Sequence, residues 1–225
     1  EFLDPSPTST YIAHECAIRG QKVNGELFPA LESPCTLLSI ETNYALAEYH
    51  DNEAKFPTPA IPEMGSAISV PALTATVIQD SEVSAAFHQL ADAWTTQSNG
   101  ELQMSCVEGS VLDSLATLNI QEARLSLLTS GEALAWLTWA GANGGAHGRR
   151  RGNALGRDAA WWIIASLTEK TFHWPLSNEE LEAAVNSLQW FWWDNNEPTT
   201  GWNVRLCVHH AQRNQSWAIS LNDWK

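Results

Sequence analysis

Between Leu134 and Leu167 the chain reads LAWLTWAGANGGAHGRRRGNALGRDAAWWIIASL, two apolar, tryptophan-bearing runs around a centre rich in glycine and arginine. Gly144, Gly145, Gly148 and Gly152 fall within nine residues. In a helix interior each costs about 1 kcal/mol relative to alanine, and the good helix propensity of Arg149, Arg150 and Arg151 does not offset four of them. One unbroken helix is therefore disfavoured, and the stretch predicts two helices joined by a turn. The first opens at Ser130, runs through Trp139 and fades at Gly141; the second runs from about Leu155 to Thr168. Trp136 and Trp139 on one side, and Trp161 and Trp162 on the other, anchor both helices in one core. A loop held between two rigid supports is where a binding site is expected.

The chain around this centre alternates between helical and strand patterns. Residues 1–10 (EFLDPSPTST) read as an extended lead-in. Tyr11–Ile18 and Cys35–Tyr49 have helical length, with a helix expected over 36–49, and Gly20, the Asn24-Gly25 pair, Pro29 and Ser33-Pro34 break the sequence between them. Residues 51–72 hold four prolines and a glycine, so no regular element fits there. This loop marks the expected boundary between a variable N-terminal segment, 1–72, and an α+β domain, 73–225. Residues 73–78 suit a strand. After Asp80 or Ser81, Val83, Phe87, Leu90, Ala91 and Trp94 share one helical face, and Ser98-Asn99-Gly100 ends that helix. A strand follows over 101–107, a short helix from Ser110 to Leu118, and a second from Gln121 to Leu128. Ser177 and Glu180 form a capping box for a helix expected to run through Leu188 and Phe191, apolar nearly all round where Trp190, Trp192 and Trp193 cluster. Trp202, Val204, Leu206 and Val208 alternate with polar residues, as do Trp217, Ile219 and Leu221, which predicts a C-terminal antiparallel hairpin. The fold class expected is α+β: a helix-rich single core with a small antiparallel sheet that includes this hairpin.

Composition narrows the partners. With 12 Lys and Arg against 26 Asp and Glu, the net charge is -14, which argues against general nucleic-acid binding or an anionic membrane surface, since both need a basic face. Four of the twelve basic residues lie between 149 and 157, so a local basic site remains. No apolar run approaches the roughly 18 residues of a membrane span, and no secretory leader is visible. Cys16, Cys35, Cys106 and Cys207 are far apart and form no CxxC, which reads as free thiols in a reducing compartment. The location expected is the cytoplasm.

The chemistry the centre could carry is anion binding. Gly144, Gly145 and Gly148 allow backbone N–H groups to converge and a ligand to approach closely. Arg149, Arg150, Arg151 and Arg157 offer planar, bidentate donors for phosphate or carboxylate, and the start of the second helix would add its own. His147 is the candidate acid or base. The stretch is not a P-loop, since Gly-Lys-Ser/Thr is missing. Nor is it a dinucleotide fingerprint, since no strand precedes it. The competing reading is structural: the glycines permit close helix packing and the arginines pair with the chain's carboxylates. His14, Cys16 and Cys35, or Cys207, His209 and His210, are metal-ligand types without zinc spacing, so no metal is expected. No Gly-x-Ser-x-Gly occurs, and no cofactor is implied.

Three segments, TTQSNGELQMSCV (95–107), GEALAWLTWAGANGGAHGRRRGNALGRDAAWW (131–162) and TGWNVRLCVHHAQRNQSWAISLNDW (200–224), resemble in order a family of uncharacterised bacterial proteins, frequent in actinobacteria. Its members carry an SNG turn before a strand, a SGGAHGRRRG centre and a terminal GWxLRLAV…LAWAxxAxD hairpin. The resemblance covers roughly residues 70–225 and implies no activity. It departs at Cys207-Val208-His209-His210, where acidic residues are expected, so an acidic role at that turn is not carried over. The function expected is a protein-interaction, immunity-like or assembly subunit with a protein partner. The alternative is an enzyme or sensor binding a phosphorylated or other anionic small molecule at the Gly/Arg centre. Arginines converging on a concave site favour the alternative, and arginines spread over carboxylates favour the first.

Thiol counting under denaturing conditions is expected to return all 4 cysteines free, and elemental analysis no stoichiometric metal. A protected disulfide or bound zinc would overturn this assignment.

Overall fold

Residues 5–23, 27–41, 44–198 and 200–224 are described by the structure, a computed structural model. Local signals start most of its helices. Ser6 and Ser9 form a reciprocal capping box ahead of α1 (Pro7–Ile18), with proline in the first turn. The chain then runs irregularly to a two-residue ladder, β1 (Glu48–Tyr49) with β2 (Ala54–Lys55), and through the proline-rich loop to β3 (Ile68–Ser69) and β4 (Thr76–Ile78). Asp80 accepts from the Val83 N–H and opens α2 (Ser81–Leu90), which α3 (Asp92–Gln97) follows. Next come β5 (Glu101–Glu108), α4 (Val111–Thr117), β6 (Glu122–Leu128), α5 (Ser130–Ala142) and α6 (Asn153–Leu167). The chain ends with α7 (Asn178–Asn186), β7 (Leu188–Asp194), β8 (Trp202–His210) and β9 (Gln215–Asp223). Capping boxes at Ser110, Thr129 and Ser177 open α4, α5 and α7.

The larger sheet has seven strands in the order β3-β6-β7-β8-β9-β5-β4, antiparallel throughout. Val204, Leu206 and Val208 pair with Leu221, Ile219 and Trp217, and these side chains are buried together. They belong to the main core, which α2, α5, α6 and α7 complete on one face of the sheet. The other face carries a smaller core under α4, built on Leu115, Trp193, Cys207 and Ala218. The α+β class stands, with a helix-rich core and a C-terminal hairpin, and the sheet is extended by two central strands from segments expected to be helical.

Those two segments have a common cause. Gln121–Leu128 was expected to be a helix and contains β6, whose residues 124–128 pair with β7. The expected helix through Phe191 stops at Asn186, and Leu188–Asp194 is β7. Leu188, Trp190 and Trp192 enter the main core while Phe191 and Trp193 enter the smaller one. A strand covered on both faces shows no polar alternation, so it reads like a buried helix. The helix expected over 36–49 does not form in the described residues, which are irregular before β1; Thr42 and Asn43 lie outside them, as does the Asn24-Gly25 break. The lead-in is also shorter than expected, because α1 begins at Pro7. Among the described residues no helix is long and apolar enough to cross a membrane.

The break at the glycine-rich centre forms as expected, and α5 packs directly on α6. Their crossing is close because Gly156 has no side chain: a methyl there would overlap the Thr138 carbonyl oxygen and lie 2.7 Å from the Ala142 nitrogen. Both are backbone atoms of α5, so the neighbour cannot yield cheaply. Gly156→Ala is expected to destabilise the protein by about 1–3 kcal/mol in chemical denaturation. A neutral or stabilising result would show that the helices are not in this contact.

Candidate functional site

The loop from Asn143 to Gly152 is fastened by acceptors from distant parts of the chain. Asp223, buried near the end of β9, accepts from the Ala146 N–H at 2.6 Å. Gly145, at φ 67°, permits that approach, since a Cβ there would overlap the Asp223 carboxylate. The His147 N–H donates to Ser98 Oγ at 3.1 Å, and the Arg149 N–H to Gln97 Oε1 at 3.1 Å. The Gly148 N–H donates to the Gly144 carbonyl, and those of Arg151 and Gly152 to the Ala142 carbonyl. The converging N–H groups that the glycine spacing implied are thus directed largely at the chain's own oxygens. His147 and Arg149 are exposed on this loop.

The four arginines of the centre separate. Arg157 is 1% exposed and forms a bidentate pair with Glu41, itself 3% exposed: Nε to Oε1 at 2.6 Å and Nη2 to Oε2 at 2.8 Å. Its remaining donors reach the carbonyls of Pro34 and Thr36. Glu41 also accepts from the Leu38 N–H, the Tyr44 hydroxyl and Trp161 Nε1. Burial works against the charged guanidinium, yet the hydrogen bond and charge of Glu41 raise the Arg157 pKa above its ordinary value. Burial, then the Glu41 charge, pushes the Tyr44 hydroxyl well above the usual phenol range. His14, buried on α1, is held below the ordinary imidazole range by burial and then by Arg157.

Arg150 and Arg151 instead line a cleft of about 640 Å³ between α1, the loop and the start of α6. Arg150 Nη1 donates to Asn143 Oδ1 at 2.6 Å, and its guanidinium carbon lies 3.4 Å from the centroid of the Phe56 ring. Arg151 Nη1 donates to the Gln89 carbonyl at 3.3 Å. Tyr11, Ile12, Phe56 and Trp139 supply apolar wall, and Arg19, the C-cap of α1, adds a third cation. Beneath the cleft Trp139 stacks on Trp202 at 5.3 Å and meets Trp94 and Trp136 edge-on, a rigid floor. Glu15, also in the lining, accepts from the Ala154 N–H at 2.8 Å and pairs with Arg19.

The structure therefore brings Arg150 and Arg151 together in one cleft, buries Arg157 elsewhere, and leaves His147 and Arg149 exposed on the loop. Sequence reasoning missed Tyr11, Glu15, Arg19 and Phe56. The four-residue spacing of Glu15 and Arg19 signals a helical ion pair, but nothing in it points to a loop 130 residues on. Of the thiols, burial and then Asp80 push Cys106 up to about 12, and burial pushes Cys207 up further. Cys35 is also raised by burial. Among the described residues no three His, Cys, Asp or Glu side chains come together as a metal site.

Residues 7–219 match DUF6183, a family of unknown function, so the match includes the N-terminal segment as well as the Gly/Arg centre and most of the hairpin. No curated protein and no solved structure matches the chain.

Glu41→Gln would leave a buried guanidinium without its counter-charge. It is expected to cost about 3–5 kcal/mol in denaturant-unfolding experiments. A loss below about 1 kcal/mol would mean that the pair does not hold the N-terminal segment to α6.

Proposed function

The chain belongs to the DUF6183 family, and from the geometry of its cleft we propose that it is a binding protein for a small organic anion, a carboxylate or phosphate ester with an apolar body. The observation that carries this is the meeting of Arg19, Arg150 and Arg151 with Tyr11, Ile12 and Phe56 around one cavity. Ligand sites are commonly concave, mostly apolar and in the range of about 300–1,000 Å³, with a few placed polar groups that set orientation. Arg150 is held in place by Asn143 and by the Phe56 ring, so little side-chain entropy is lost when it meets an acid group. Arginine donors set against aromatic wall suit a ligand with an acid head and a planar or apolar body. The reading is one of binding or sensing, and His147, exposed on the loop, has no assigned part in it.

The interaction role expected from the sequence has one exposed aromatic in its favour, Phe172 in the turn after α6, 93% exposed; a lone exposed ring is ordinary on a protein surface and makes no interface by itself. The net charge of -14 makes nucleic acid an unsuitable partner.

Phenyl phosphate is a suitable probe, since it combines a dianionic head with an aromatic body. It is expected to raise the melting temperature of the wild-type protein at millimolar concentration, through preferential binding to the folded state. Sulfate, which stabilises folded proteins without a specific site, serves as the control. The Arg150→Gln/Arg151→Gln double variant should lose the phenyl phosphate increment and keep the sulfate one. If both proteins gain equally from phenyl phosphate, the cleft is not an anion site.

A further inference from the structure

Arg151 lines a second, smaller cavity as well as the cleft. Leu155, Asp158, Ala159 and Trp162 fall at the spacing of one helical face, and this face of α6 is half-buried where the rest of the helix is sealed into the core. It forms one side of a cavity of about 270 Å³, at the small end of ligand sites. Trp174, from the turn after α6, lines the cavity too, with its ring at 87° to that of Trp162 and the centroids 5.7 Å apart. Two perpendicular rings on one cavity make a corner of π-surface, and indole is the best of the aromatic faces for a cation. Glu32 and Asp158 add two carboxylates to the same lining. Asp158 is held in place, since its Oδ1 accepts from the Glu32 N–H at 3.1 Å and from the Ser33 N–H at 2.9 Å. Opposite charges around one cavity ordinarily pair with each other. Here Arg151 donates to the Gln89 carbonyl, and among the described residues neither Glu32 nor Asp158 is in an ion pair.

We propose that this cavity binds a small zwitterion carrying a quaternary ammonium and a carboxylate: the ammonium sits in the Trp162–Trp174 corner beside Asp158 and Glu32, and the carboxylate sits on Arg151. The separated charges of the lining define both ends of the ligand. A cation alone meets the Arg151 guanidinium, and an acid alone meets two carboxylates. A molecule with both charges answers each part of the lining with its opposite. The aromatic corner selects the kind of cation. Indole faces offer no conventional acceptor, so the three N–H donors of a primary ammonium would lose water without gaining partners, whereas a fully methylated nitrogen has no donors to satisfy. A neutral tert-butyl group has the same shape and no charge for the ring quadrupole to attract. The site goes beyond the anion reading of the larger cleft and shares only Arg151 with it.

The test is NMR titration of the full chain with two probes, glycine betaine and 3,3-dimethylbutyrate, its carbon isostere with a neutral head. Betaine is expected to bind at millimolar concentration and about tenfold more tightly than 3,3-dimethylbutyrate. Its methyl protons should give intermolecular NOEs to the rings of Trp162 and Trp174. Trp174→Leu keeps apolar bulk and removes one ring face, so it should weaken betaine about tenfold and leave 3,3-dimethylbutyrate little changed. The comparison of the two probes and the NOEs are made on the wild-type protein, and they decide the matter if Trp174→Leu fails to fold. Absence of betaine binding, equal affinity for the two probes, NOEs to Phe56 or Trp139 in place of Trp162 and Trp174, or equal loss of both probes in Trp174→Leu overturns the proposal. Each of these outcomes leaves the larger cleft to its own test with phenyl phosphate.

Discussion

The structure depends on one buried ion pair. Arg157 stands in the second turn of α6, and Glu41 comes from an irregular segment more than a hundred residues earlier. Removing two charges from water is expensive, and their attraction offsets the cost only when the geometry is good and the remaining donors and acceptors are filled. Here they are: Arg157 reaches two carbonyls besides Glu41, and Glu41 accepts from Leu38, Tyr44 and Trp161 besides Arg157. A pair so completed adds little net stability over a hydrophobic contact, yet it permits one arrangement only. It fixes where the segment before β1 runs and how the start of α6 is presented. The cleft lies between these two parts.

This pair also explains why the sequence misleads at residues 36–49. Their apolar spacing is compatible with a helix, but Arg157 accepts only a conformation that turns the carbonyls of Pro34 and Thr36 toward it. A helix over 36–49 would spend the Thr36 carbonyl on its own ladder. The tertiary partner decides, and it lies where no local window reaches. The same holds for β6 and β7. Their neighbours cover both faces, so Trp190, Trp192 and Trp193 are buried without the alternation that marks a half-exposed strand. Legible elements are those whose cause is local: the capping box at Ser177, the break at the four glycines, and the alternating hairpin of β8 and β9.

The candidate site was legible in the same proportion. Glycines and arginines in one short run correctly marked a loop between packed helices. Whether its donors face a ligand or the protein depends on acceptors elsewhere, on Ser98, Gln97 and Asp223 for the backbone and on Glu41 for Arg157. The structural reading holds for part of the run, and the rest lies against the cleft. Gly145, Gly156 and Arg157 serve packing, and Arg150 and Arg151 line the cleft. Residue type alone could not divide them, because a guanidinium is equally suited to a buried carboxylate and to a ligand.

The division has a mechanical consequence. The floor of the cleft is rigid: Trp139 is buried on α5 against Trp94, Trp136 and Trp202, and Trp94 Nε1 is tied to the Ala140 carbonyl at 2.9 Å. The loop is fixed through its backbone by Asp223, Ser98 and Gln97. The wall formed by α1 is held differently. Its inner face buries small and polar residues, Ser9, Thr10, Ala13, His14 and Ala17 with Ile18, which contribute little apolar area for a helix of twelve residues. Among the described residues, Glu15 accepts from the Ala154 N–H and Thr10 donates to the Phe28 carbonyl. Little apolar burial lowers the cost of local opening. Tyr11 and Glu15 of that wall, with Arg19 just past its end, line the cleft.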